Sequence, residues 1–126
     1  MGYMGYESKL YIVDKTNLRE MVNGKSMWYS RVIATFDLGK VGRLSQELCE
    51  FPVTNAYFYD NDGNTMVLAD KYGKPLTEVP LPNAIELLEE AFEYCFDKKR
   101  LTPCIELLKA FNSNQWNNLV VLHYGH

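Results

Sequence analysis

Histidine is nearly absent from this chain: two of its 126 residues, one of them the last. A general base or an imidazole ligand therefore has few sources. Catalytic signatures are missing as well, since the chain contains no Gly-x-Ser-x-Gly, no Gly-x-x-x-x-Gly-Lys-Ser/Thr, no Gly-x-Gly-x-x-Gly and no His-Glu-x-x-His. His123 is the one histidine away from the terminus, and inside the apolar run "LVVLHYGH" it reads as a packed, hydrogen-bonded residue rather than a catalyst. No catalytic residue is expected, and the chain is read as a non-enzyme.

Cysteine is scarce and unpaired. Cys49, Cys95 and Cys104 are odd in number and lack Cys-x-x-Cys spacing, which argues against disulfides and thiolate metal sites and for free buried thiols. No apolar run approaches the roughly 18 residues of a membrane span, and "MGYMGYESKLYIVDK" has no basic leader followed by an apolar stretch. The expectation is a cytoplasmic protein without membrane association. Positive charge is also short: 13 basic residues against 16 acidic ones give a net charge of −3, which disfavours generic nucleic-acid binding.

What is present suits a folded domain. Hydrophobic residues make up 47% and charged residues 23%, and a chain this long buries roughly two thirds of its unfolded surface. Residues 1–126 are read as one α+β domain. "ESKLYIVD" alternates as a strand; after the Asn23-Gly24 turn signal, "MWYSRVIATFDL" forms a second strand paired antiparallel with the first. "GKVGRLSQELCEFP" carries Leu44, Leu48 and Phe51 on one face of a short helix that Pro52 ends.

"FYDNDGNTM" poses a choice between a calcium loop and a turn. Counted from Asp60, a helix-loop-helix calcium site needs glycine sixth and glutamate twelfth, but Gly63 is fourth and Lys71 twelfth. With Asp62-Gly63 as a two-residue turn, Phe58 faces Val67 and Tyr59 faces Met66, so apolar residues meet on both faces of a hairpin. Asp60 and Asp62 are left with, at most, weak adventitious cation binding. "DKYGKPLTEVPLP" turns the chain again, Pro80 and Pro82 blocking a central strand.

Asn83 with Glu86 makes a capping box for a helix whose inner face is Ile85, Leu88, Phe92 and Cys95 and whose end is Lys98, Lys99 and Arg100. Thr102-Pro103 opens a second helix through Phe111, and Leu119 to Tyr124 read as a central strand covered by helices. The expected order is β-β-α-β-β-α-α-β: a mainly antiparallel sheet of about five strands with two consecutive C-terminal helices packed on it.

Three features carry binding chemistry. "GKVGR" brings Lys40 and Arg43 and two glycines just before a helix, a short phosphate-cradle pattern whose glycines serve equally well to shape a strand exit. Tyr57 and Tyr59 share one hairpin face, suited to base stacking or an interface, and equally to packing under helices. Glu86, Glu89 and Glu93 form an acidic helix row that fits either a solvated face or a dock for a basic partner. No cofactor and no metal site is expected.

"MGYESKLYIV", "DGNTMVLADKYGKPL" and the closing "HYG" resemble segments, in the same order, of small uncharacterised proteins encoded by phages and prophages of Gram-positive bacteria. That resemblance implies a start at Met4 and a non-enzymatic accessory role, binding and inhibiting a host factor such as a component of antiviral defence; it assigns no site residue. The inhibitor would use Glu86, Glu89 and Glu93. A protein that sequesters a signalling nucleotide through Lys40, Arg43, Tyr57 and Tyr59 is the alternative, and a homodimeric structural phage protein pairing through a sheet edge or the tyrosine face is a third.

Overall fold

The computed structural model describes residues 6–60, 63–95, 98–114, 116 and 118–126. Met4, the expected start, and Asn61 and Asp62, at the expected hairpin turn, lie outside the described residues. Along the chain come β1 (Ser8–Val22), β2 (Lys25–Gly39), α1 (Arg43–Cys49), β3 (Ala56–Tyr59), β4 (Met66–Val67), β5 (Thr77–Pro80), α2 (Leu81–Phe92), α3 (Lys98–Ser113) and β6 (Leu119–Gly125). The strands form one mixed sheet in the order β4-β3-β2-β1-β6-β5. The fold is α+β with two consecutive C-terminal helices, as expected, but the sheet has six strands.

β1 and β2 pair antiparallel across the Asn23-Gly24 turn, where φ is 51° and 79°, the two positive values a type I′ turn demands. Both strands run 15 residues, well past the alternating segments, because the tight turn zips the polar arm from Asn17 onward as well. Near the arm's root the ladder is irregular between Lys15 and Arg19. There the Thr16 hydroxyl donates to the Tyr29 carbonyl at 2.9 Å, satisfying a group that the ladder leaves open.

The β3–β4 register is the expected one, Phe58 opposite Val67 and Tyr59 opposite Met66. β5 is the strand that the sequence reading omits. Pro80 only ends it, and β5 lies at the sheet edge, where a missing N–H leaves no central ladder broken. The same prolines move the next boundary: α2 starts at Leu81 with Pro82 in its first turn, so Asn83 is already helical and the Asn83–Glu86 capping box does not form. Lys98, Lys99 and Arg100 belong to α3 rather than to the end of α2, and Thr102-Pro103 lies inside α3, the Thr102 hydroxyl donating to the Lys98 carbonyl at 3.1 Å.

β6 sits between β1 and β5. Only one of its faces is covered by helices. Leu119 and Val121 join Leu10, Ile12, Leu44, Leu88, Leu101 and Leu108 beneath α1, α2 and α3. The opposite face, with Val13 and Leu122, packs against Phe58 and Leu76. Tyr11 lies 4.6 Å from the Phe58 ring, between ring centres, so a second apolar layer comes from the β3–β4 hairpin. Among the described residues no helix is long and apolar enough to cross a membrane.

Leu88 is fully buried on the inner face of α2, so Leu88→Ala should destabilise the chain by about 2–5 kcal/mol in urea unfolding. The exposed Glu86→Ala on the same helix should stay within about 0.5 kcal/mol.

Candidate functional site

At the end of the sheet where β1 begins and β2 finishes, α1 leans over the helix-covered face and leaves a cavity of about 600 Å³. Lys40, Gly42 and Arg43 enter from the β2–α1 junction, Ser45, Gln46, Cys49 and Glu50 from α1, Tyr6 from the chain before β1, and Lys74 from the loop before β5. A space of this size falls in the range that holds nucleotide-sized molecules. Its rim carries three cations and one carboxylate, on a chain whose net charge is −3.

The three cations are not equivalent. Arg43 is held by Glu47 at 3.5 Å and Glu90 at 3.2 Å, and its guanidinium lies 4.3 Å from the centre of the Tyr94 ring. Lys40 and Lys74 form no ion pair with another described residue. They are the charges left for a ligand. Lys74 is placed by an Asp70-centred turn, in which Asp70 Oδ1 accepts from the N–H groups of Tyr72 at 2.8 Å and Lys74 at 3.0 Å. That turn also presents Tyr72, whose ring stacks on Tyr6 with centres 5.6 Å apart. The hydroxyl end of Tyr6 in turn lies against position 125, where a Cβ would overlap it unless the ring shifted.

The inner wall is polar and buried. Ser8 Oγ lies 2.6 Å from Ser45 Oγ and 2.8 Å from His123 Nε2, and the other imidazole nitrogen faces Cys49 Sγ at 3.7 Å. In either neutral tautomer one ring nitrogen donates and the other accepts, so His123 is satisfied without charge. Burial pulls its pKa down to about 4, with Asp70 opposing weakly. Such an imidazole is neutral at pH 7 and offers no cation to hold a Cys49 thiolate. Cys49 is exposed on the cavity wall, a correction to the expectation of buried thiols; Cys104 is buried, its pKa pushed up to about 12 by desolvation.

The expected site residues separate into three places. Lys40 and Arg43 line the cavity. Tyr57 and Tyr59 do not join them: β3 pairs with β2 at Trp28 and Tyr29, ten residues of strand from Gly39, about 30 Å along β2. Tyr57 is 1% exposed, packed near Tyr29 rather than under the helices, and only Tyr59 reaches the surface at 38%. A joint phosphate-and-stacking site from these four residues is therefore ruled out by topology. Glu86 and Glu89 are exposed on α2 and Glu93 just past its end, with Glu89 paired to Lys109 at 2.6 Å. Tyr6, Ser45, Cys49 and Lys74, with Ser8 and His123 behind them, are distant in sequence, and only the β1–β6 pairing and the α1 crossing bring them together.

No family model, no curated protein and no solved structure matches the chain.

Because its folded pKa lies below the ordinary value of 6.5, His123 favours the folded state fully above pH 6.5 and progressively less as pH falls toward 4. The loss across that window is on the order of 3 kcal/mol, from a downward shift of about 2.5 pH units. Urea midpoints measured from pH 7 to pH 4 should therefore drop, and His123→Gln should flatten the profile.

Proposed function

We propose that this chain is a non-enzymatic binding protein that captures a small anionic ligand, of nucleotide size, in the cavity beneath α1. The observation that carries the reading is the pair Lys40 and Lys74, two ammonium groups without an ion pair among the described residues, facing one cavity on an acidic protein. Compact, unpaired ammonium groups are suited to phosphate oxygens, and each charge-assisted hydrogen bond they form is worth about 1.5–3 kcal/mol. Tyr6 takes the stacking role expected of Tyr57 and Tyr59, because its ring forms part of the same wall. The neutral His123 beside Cys49 supports binding without turnover. Joined to the resemblance to phage-encoded proteins, the reading becomes sequestration of a signalling nucleotide in a host cytoplasm.

Inhibition of a host protein is the second reading, and the groove between α2 and α3 favours it. Glu89, Glu93 and Glu106 line that groove with Phe92 and Ile105, and Glu86 lies one turn away on the same helix. An acidic rim around apolar side chains fits a basic partner segment. Charge reversal of Glu86, Glu89 and Glu93 together should abolish capture of such a partner if this face is the dock.

Isothermal titration with ATP, AMP and inorganic pyrophosphate tests the first reading. One ligand per chain is expected, with Lys40→Ala and Lys74→Ala each weakening binding about tenfold or more, in line with the loss of one charge-assisted contact. Tyr6→Leu should cost more for the nucleotides than for pyrophosphate. Absence of binding by all three probes, or affinity indifferent to both lysines, would overturn the assignment.

A further inference from the structure

On the opposite face of the same sheet end, three side chains from distant parts of the chain converge. Glu7 precedes β1, Asp37 lies two residues before the end of β2 and His126 follows β6, and a carboxylate or imidazole atom from each lies within 4.8 Å of the others. The backbone holds two of them rigidly: Glu7 N–H donates to the His126 carbonyl at 2.7 Å and His126 N–H to the Glu7 carbonyl at 2.9 Å.

We propose that Glu7, Asp37 and His126 form a binding site for a divalent transition-metal ion, with zinc as the first candidate. His126 Nε2 is shut off from solvent, and its one polar neighbour among the described residues, Asp37 Oδ1 at 3.3 Å, is outside good hydrogen-bond geometry. A buried acceptor or donor without a partner is costly, and coordination is one way to satisfy it. The Glu7 carboxylate engages no donor among the described residues, so two carboxylates face one imidazole with little between them.

The spacing suits an ion. A tetrahedral zinc with ligands at about 2.0–2.2 Å keeps neighbouring ligand atoms about 3.3 Å apart, and the Asp37–His126 pair is already at 3.3 Å. Bringing Glu7 in requires only side-chain rotation, since its backbone is fixed beside His126. One imidazole and two carboxylates with room for solvent are the donor set of zinc or manganese sites, and the two carboxylates balance the ion's charge.

One cation already leans on the site, at longer range than a metal ligand, and another is turned away. Arg100 approaches Asp37 Oδ1 at 3.7 Å and the Asp37 carbonyl at 3.4 Å, while Lys9 is drawn over the rings of Tyr11 and Tyr124. The Gly39 N–H donates to the same Oδ1 at 3.0 Å, which fixes the orientation of the carboxylate that faces His126. This assignment replaces the expectation of no metal site, which rested on cysteine spacing and the Asp60 loop and could not register three ligands scattered along the chain.

Equilibrium dialysis of the full chain against Zn²⁺, with bound metal counted by elemental mass spectrometry, tests the site. One zinc per chain is expected, with affinity weakened about tenfold or more by Glu7→Gln and by His126→Gln, since even outer-shell partners of metal sites cost at least about that much. All three side chains lie at the rim, so these variants should keep the parental circular dichroism; Asp37→Asn is the third variant if one does not. Co²⁺ loading should give ligand-field bands with no thiolate charge-transfer band. Zinc retained in both variants, or a thiolate band with Co²⁺, would place the ion at a cysteine and overturn the proposal. Absence of zinc binding at micromolar concentrations would overturn it too.

Discussion

The insertion of β6 between β1 and β5 is the constraint on which the rest of the structure depends. Seven consecutive residue pairs, from Ser8 with Gly125 to Asp14 with Leu119, tie the two strands. Because side chains alternate across a strand, this one pairing serves both faces. His123 and Gly125 turn toward α1 and Tyr6, and Tyr124 turns toward Tyr11 on the other side. Slip the register by one residue and His123 would leave Ser8 while Leu122 left the aromatic layer.

Charge is distributed unevenly around this frame. The acidic side chains of α2 and α3 face outward, and several of the basic ones are spent neutralising them, Arg43 on Glu90 and Lys109 on Glu89. Lys15 is likewise consumed, 2.8 Å from Glu78, which also accepts from the Thr54 hydroxyl at 2.6 Å. Lys40 and Lys74 escape this neutralisation because the chain places them on loops flanking α1 rather than on the helix faces where the glutamates stand. The polar chain Ser45–Ser8–His123 under them is fully hydrogen-bonded, so the cavity wall is stiff where a ligand would press on it.

Local signals were the legible part. Asn23-Gly24 marks the antiparallel pairing of the first two strands, and the apolar matching around Gly63 gives the pairs Phe58–Val67 and Tyr59–Met66, because turn chemistry and period-2 alternation act over a few residues. Leu44 and Leu48, Ile85 and Leu88, and Cys104, Ile105 and Leu108 were readable as buried helix faces for the same reason. Prolines misled: Pro80 hid an edge strand, Pro82 moved the start of α2 ahead of Asn83, and Pro103 marked the interior of α3 rather than its opening. Of the cavity, only Lys40 and Arg43 were visible, since they are neighbours in sequence. Lys74 and Tyr6 reach it, and His123 backs its Cys49 wall, through long-range pairing that no local window contains, and the burial of Tyr57 depends on the fold of β2 and β3.

That long-range pairing also sets the order in which the molecule can assemble. The β1–β2 hairpin closes over a two-residue turn, but the Ser8–Gly125 contact spans nearly the whole chain, and loop-closure entropy makes such contacts late and slow. Until Leu119–Gly125 has been synthesised, β1 and β5 each present an open edge toward the gap that β6 fills. Lys9 and Lys15 on β1 and Pro80 on β5 are the kinds of residue that discourage wrong pairing at such an edge. A nascent chain of this fold waits with its sheet divided, and its last strand acts as the key that completes it.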